Sequence, residues 1–237
     1  MAKAHTTWQV LPHGDIGHIS ERVWQVRGTI ARIPLQRVMT IARRSDGELV
    51  VHNPICVEDK LVAAIEQLGP IAVIVVPSGS HRLDARVFKD RFPEARVICP
   101  SGARDKVAEV VAVDGTYADE PADSAVWFEP LDGVKHTEGA MFVRDGNGLT
   151  VVLNDILFNM PHLTGVSGFI LRRITKSSGG PRVSRIARWF LIDDKAALKA
   201  SFERLAAMPE LARICVAHHE VIDQDPAKVL REVAATL

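Results

Sequence analysis

Over residues 23–52 short apolar runs alternate with polar breaks, in VWQVRG, then RVMTIARR, then ELVVHNPI. This pattern predicts strands rather than helix. The SDG between the last two is a hairpin turn too short for a helical crossover, so the chain begins as an antiparallel sheet. From Val57 the period changes. VEDKLVAAIEQLG sets Leu61, Val62, Ile65 and Leu68 on one helical face, and Gly69 ends it. IAVIVVP follows as a continuously apolar strand of the kind buried on both faces. LDARVFKDRFP then reads as helix with Pro93 at its end, ARVICP as strand and DKVAEVVA as helix.

The middle of the chain returns to strands: SAVWFEPL, AMFVRD and LTVVLND, the last two joined by the Gly-rich turn RDGNGL. Residues 156–188 show no clear period. The final third runs helix (DDKAALKASFERLAAMPE), strand (ARICVAHHEVI), helix (DPAKVLREVAAT). Hairpins in each half, with helices around them, imply an α/β protein in which two packed sheets are covered outside by helices. A single open, doubly wound sheet is the competing architecture. It lacks support, since neither a G-x-G-x-x-G nor a P-loop is present.

The chain is long enough to bury a substantial core as one domain over 1–237. Lys plus Arg and Asp plus Glu are 29 each, so total charge gives no bias toward nucleic acid or an anionic membrane. Cys56, Cys99 and Cys215 are far apart and lack C-x-x-C spacing, which predicts reduced, buried thiols. MAKAHTTWQVLPHGD has no apolar leader core, and no run is long enough to span a bilayer. The expectation is a cytoplasmic protein. Nothing in the pattern speaks to oligomeric state.

Reactive residue types collect where strands end. VIVVPSGSHR carries His81, GVKHTEG carries His136, VVLNDILF carries Asp155 and ICVAHHEV carries His218 and His219. Strand exits allow loops to assemble a site without disturbing the core, and the RDGNGL hairpin would bring His136 and Asp155 to one end of a sheet. Imidazoles and a carboxylate suit zinc or another transition metal when three or four converge. Each also has a structural role open to it. His81 could be a hydrogen-bonded loop residue, Asp155 a cap, and one of His218 and His219 must leave the strand on the opposite face. His52, after ELVV, is either a partner to these residues or a satisfied core histidine. Cys56 and Cys215 lie close to strand exits but lack a partner at nucleophile spacing.

The segment 171–188 holds Arg172, Arg173, Lys176, Arg182, Arg185 and Arg188 with no acidic residue. It would hold a phosphate or carboxylate, or else form a solvated surface. Sparse aromatics and the absence of a binding motif argue against nucleic acid. Trp189-Phe190-Leu191 is expected to pack on the sandwich or beneath the basic loop.

These positions resemble the metallo-beta-lactamase superfamily along nearly the whole chain, and within it a divergent branch with a DUF4336-like domain of unknown function. The resemblance implies an αββα four-layer sandwich. That family carries HxHxDH after a buried strand, and Pro77, Gly79, His81 and Arg82 occupy its four ligand positions here. His81 stands where the family has Asp. His136 matches the next His, Asp155 the bridging Asp with Asn154 in place of Gly, and His218 the last His with His219 in place of Gly. The resemblance implies His81, His136, Asp155 and His218 around one zinc or iron ion, with His52, His219 and Arg82 as neighbours or alternates. Pro77 and Gly79 offer no side-chain ligand for a two-metal site, and Arg82 would add positive charge. Three functions stay open: a one-metal hydrolase acting on a small, anionic substrate, a catalytically inactive ligand- or protein-binding member, and a metal-dependent enzyme of another reaction type.

Overall fold

A computed structural model describes residues 4–31 and 33–237, so the first three residues of the N-terminal stretch lie outside it. The strands β1 (Gly17–Ser20), β2 (Val23–Ile30), β3 (Ile33–Arg43), β4 (Leu49–His52), β5 (Ile71–Val75), β6 (Arg96–Cys99) and β7 (Gly115–Thr116) form one sheet in chain order. Its first half is antiparallel, as the short connections require, and β4 to β7 run parallel. Crossover helices α1 (Asp59–Glu66), α2 (Ala85–Arg91) and α3 (Arg104–Ala108) lie between or after the parallel strands. The SDG turn is formed with Gly47 at φ 91°, a conformation that glycine adopts without steric cost.

A second sheet has the order β13-β10-β9-β8, from β8 (Val126–Pro130), β9 (Gly139–Asp145), β10 (Gly148–Leu153) and β13 (Leu211–Val216). A separate ribbon pairs β11 (Phe158–Met160) with β12 (Gly180–Arg182). The remaining helices are α4 (Gly165–Phe169), extended by one π-type turn over Ile170–Ile174, then α5 (Arg185–Phe190), α6 (Lys195–Ala206) and α7 (Pro226–Ala234).

Three apolar clusters define the layers. Val23, Ala42, Val50, Val73 and Ile98 of the first sheet meet Val126, Met141, Val143, Val152 and Cys215 of the second. The opposite face of the first sheet packs on Leu61, Val62 and Ile65 of α1 and Phe88 of α2. The opposite face of the second packs on Leu198, Phe202 and Leu205 of α6 and Leu230 and Val233 of α7. Period-two alternation explains the sharing: Met141 and Val143 face the inner layer while Phe142 faces the helices. The result is the expected αββα sandwich. All three cysteines are free and buried, and burial pushes the Cys56 and Cys215 thiols up to about 12, which removes both as nucleophiles at neutral pH.

Phe142 is fully buried and stacks on Trp127 at 5.1 Å between ring centres. Phe142→Ala is expected to lower unfolding free energy by about 3–5 kcal/mol, read from urea denaturation at neutral pH. A loss below about 1 kcal/mol would contradict this packing.

Candidate metal centre

Four strands deliver their C-terminal ends to one place. Strands β4 and β5 are parallel neighbours, as are β10 and β13. The segments that follow them carry Asn53, His81, Asp155 and His218. Placement beyond the carboxyl ends of parallel strands is where an α/β frame leaves room for loops to converge.

Asp155 is the centre of the arrangement. Its Oδ1 lies 2.9 Å from His81 Nε2 and 3.0 Å from His218 Nε2. One donor atom from each of the three residues falls within 4.8 Å of the others. The far side of each imidazole is fixed by an acceptor. His218 Nδ1 donates to the Gln36 carbonyl at 2.7 Å. His81 Nδ1 lies 3.1 Å from Asn53 Oδ1, while Asn53 Nδ2 donates to the Val38 carbonyl. That second bond sets the amide orientation, so His81 Nδ1 must also be a donor. A neutral ring that donates from Nδ1 presents a lone pair at Nε2. Two such lone pairs and a carboxylate oxygen face one another here, and only protons or a metal cation between them make that favourable. The donor chemistry therefore fits a cation, with outer oxygen acceptors of the kind that orient metal-bound imidazoles.

Burial alone would raise the Asp155 carboxyl, but the adjoining His81 and the hydrogen bonds from His218 and His81 hold it below the usual carboxylate range. Phe158 of β11 stacks on His218 at 5.1 Å and 9°, which limits rotation of that ring. A cleft of about 280 Å³ opens beside the trio, lined by Ile30, Leu35, Leu83 and Phe158, with Arg37 on its wall. Arg37 is itself buried and bonded to Asp84 Oδ2 at 2.5 Å. Asp84 also accepts from the Cys56 backbone N–H and pairs with His5, so one carboxylate ties three segments under the site.

His81, Asp155 and His218 come together. His136 does not: it is exposed and outside the cluster. Lys135 and His136 both have left-handed backbone, at φ 53° and 55°, and the His136 carbonyl accepts from Gly102 N–H at 2.9 Å. Gly102 packs so closely that a Cβ there would lie 2.5 Å from the Lys135 carbonyl oxygen. This pins the backbone inward and leaves the imidazole outside. Two residues later Glu138 is fully buried and accepts from Asn154 Nδ2 at 3.0 Å. Burial, then the charge of Asp155, pushes its carboxyl well above the ordinary range.

His219 turns away from His218 at φ 66° and accepts from the Gln36 backbone N–H through Nε2, while burial lowers it to about 4. Arg82 points out to Glu109 and the Lys106 carbonyl, so it neither blocks nor charges the cleft. His52 is buried, and its Nε2 has no hydrogen-bond partner among the described residues. Asn53 and Arg37 were not singled out from sequence. The Asn-Pro pair after ELVV signalled a turn at Asn53, which adopts φ 58°; Arg37 gave no signal.

A family model described as "Domain of unknown function (DUF4336)" matches residues 22–103. No curated protein matches the chain in sequence. Solved structures align along nearly its full length. A metallo-beta-lactamase from Pontibacter korlensis is 12% identical with a TM-score of 0.64, covering 94% of this chain and 99% of its own. The metallo-beta-lactamase FIM-1 from Pseudomonas aeruginosa, in a mono-zinc form, is 12% identical with a TM-score of 0.58 and covers 96% of each chain. A metallo-beta-lactamase from Erythrobacter litoralis, with beta-mercaptoethanol in its active site, is 10% identical with a TM-score of 0.59, covering 94% of this chain and 96% of its own. The shared property at these identities is the fold, and this chain has the metallo-beta-lactamase fold.

Burial, and then the neighbouring His81, lower His52 from 6.5 to about 3. Unfolded, it binds a proton below pH 6.5 that the folded state refuses. Its stabilising contribution is therefore complete above that pH and is lost as pH falls through the window toward 3. The slope approaches about 1.4 kcal/mol per pH unit. Urea midpoints at pH 7 and pH 5 should converge more closely for His52→Leu than for wild type. Equal slopes would mean that His52 is not held neutral.

Proposed function

We propose that this chain is a hydrolase-like enzyme with a one-metal site, in which His81, Asp155 and His218 hold a zinc or iron(II) ion. The observation that carries the reading is the fixed orientation of the two imidazoles. Each spends Nδ1 on an outer oxygen and turns Nε2 toward the same carboxylate oxygen. Three protein ligands are the number that a catalytic zinc site uses when one position is left for water or substrate. The mono-zinc form of one structural neighbour is consistent with a single ion on this frame.

A bound ion would polarise a carbonyl or phosphoryl oxygen and lower the pKa of a bound water. The chain's own residues supply the remainder. Asn53 and the Gln36 carbonyl keep the imidazoles in the ligating tautomer. Phe158 holds the plane of His218. Ile30, Leu35, Leu83 and Phe158 would receive the apolar part of a small substrate and exclude water from it. Arg37 is the cation on that wall that an anionic group would meet, and its Nε has no hydrogen-bond partner among the described residues.

One observation favours a second reading, metal-dependent chemistry of another type. Two imidazoles and one carboxylate are also the donor set of non-haem iron(II) oxygenases. Loading with each metal and assaying ester, phosphoester and thioester hydrolysis alongside oxygen consumption separates the two. A protein that takes up metal and performs neither reaction would instead be a binding member of the fold.

Elemental analysis after reconstitution with zinc or iron(II) should give about one metal per chain. His81→Ala, Asp155→Ala and His218→Ala should each bring it close to zero, and His136→Ala should leave it unchanged. Wild type that takes up neither ion would sink the metal reading. In the same assay Asn53→Ala should weaken affinity by roughly 10–100-fold, as loss of an outer hydrogen bond to a ligating imidazole does.

A further inference from the structure

Residues 156–192, between Asp155 and Asp193, contain six Arg or Lys and no Asp or Glu. Since the whole chain is balanced, the remainder carries six more acidic than basic residues. The neutral total that gave no bias toward a membrane conceals this separation. The same segment breaks the burial rule. Of the eight large hydrophobic residues exposed among the described residues, seven lie between Val166 and Phe190. Of Trp189-Phe190-Leu191, Leu191 packs on the helix-side core of the second sheet and the Arg185 guanidinium lies 6.0 Å from the Trp189 ring centre, but Trp189 and Phe190 stay 70% and 68% exposed.

The two features share one surface. The helical stretch Gly165–Ile174 and α5 are joined by the Arg185 N–H donating to the Thr175 carbonyl at 2.8 Å. Phe169, Ile170 and Ile174 stand exposed on the first, and Ile186, Trp189 and Phe190 on the second. Between and beside them lie two cationic hollows. One, of about 370 Å³, is lined by His162, Arg172, Arg173, Lys176 and Arg182. The other, of about 610 Å³, shares Lys176 and Arg182 and adds Arg185 and Arg188, with Glu232 of α7 as its one carboxylate. None of the six cations forms an ion pair with a described residue.

We propose that this face docks the protein on an anionic lipid surface. Arg172, Arg173 and Lys176 would meet the headgroups, and Phe169, Trp189 and Phe190 would insert at the level where aromatic rings settle in a bilayer. Charge decides between this occupant and a second copy of the chain. A two-fold contact would set six cations against six cations, whereas a phosphatidylglycerol or phosphatidylserine surface neutralises them. Exposed aliphatic side chains such as Val166, Ile170 and Ile174 offer nothing to a nucleic acid and a great deal to acyl chains. No helix among the described residues is long and apolar enough to cross a membrane, so the association is peripheral.

Co-sedimentation with vesicles tests the proposal. The full chain should bind vesicles of phosphatidylcholine containing about a third phosphatidylglycerol, not phosphatidylcholine alone, and should release at high salt. Arg172→Glu with Arg173→Glu should weaken binding by roughly tenfold or more. Trp189→Ser with Phe190→Ser should weaken it comparably while leaving the circular dichroism spectrum unchanged, since both side chains are exposed. Wild-type tryptophan fluorescence should shift to the blue on vesicles, and the Trp189→Ser variant should lose most of that shift. Failure to bind anionic vesicles at low salt overturns the proposal. So does binding to a soluble polyanion such as heparin with no loss in the apolar variant, or self-association that Trp189→Ser abolishes in the absence of lipid.

Discussion

The structure depends on a carboxylate held against two imidazoles that cannot turn away. Asp155 stands at the exit of β10, and the rings of His81 and His218 reach it from two different sheets. Each ring is fastened from behind, one through Asn53 to the Val38 carbonyl and the other to the Gln36 carbonyl. These anchors belong to β3 and the end of β4, so the tautomer of each histidine is set by the register of the first sheet. A slip of one residue in β3 would turn the alternate face inward and remove the acceptors. The αββα frame matters to function chiefly because it brings two parallel strand pairs to the same rim.

Beneath that rim a second carboxylate does related work. Asp84 is fully enclosed and receives Arg37, His5 and the Cys56 backbone N–H. A buried ion pair is costly to break on one side because the remaining charge has no solvent, and this one connects the N-terminal segment, β3 and the start of α2. Arg37 is therefore tied down on the cleft wall, and Arg82, which the family resemblance would place in the cleft, is committed to Glu109 instead.

Much of this was legible in the residues. The strand and helix periods gave both sheets, and strand exits pointed to His81, Asp155 and His218 because apolar runs ending in a reactive side chain are easy to see. His136 has the same local signature. What removes it is a pair of left-handed residues and the close approach of Gly102, a contact between segments far apart in sequence. The reverse holds for Asn53 and Arg37, whose importance comes from what they touch. Residues 156–188 resisted reading for a different reason: Val166, Phe169, Ile170, Ile174 and Ile186 face outward while Ile156, Leu157, Met160 and Val183 are buried, so no single period marks a buried face. That absence is consistent with a surface fitted to something other than the core.

Zinc-edge X-ray absorption on the reconstituted protein tests the central arrangement most directly, because it counts imidazole ligands. Two imidazoles per zinc, with oxygen completing the set, is the result that His81, His218 and Asp155 require. Three imidazoles would bring His136, His219 or His52 into the site and contradict that geometry, and a protein that binds no zinc would contradict the metal centre itself.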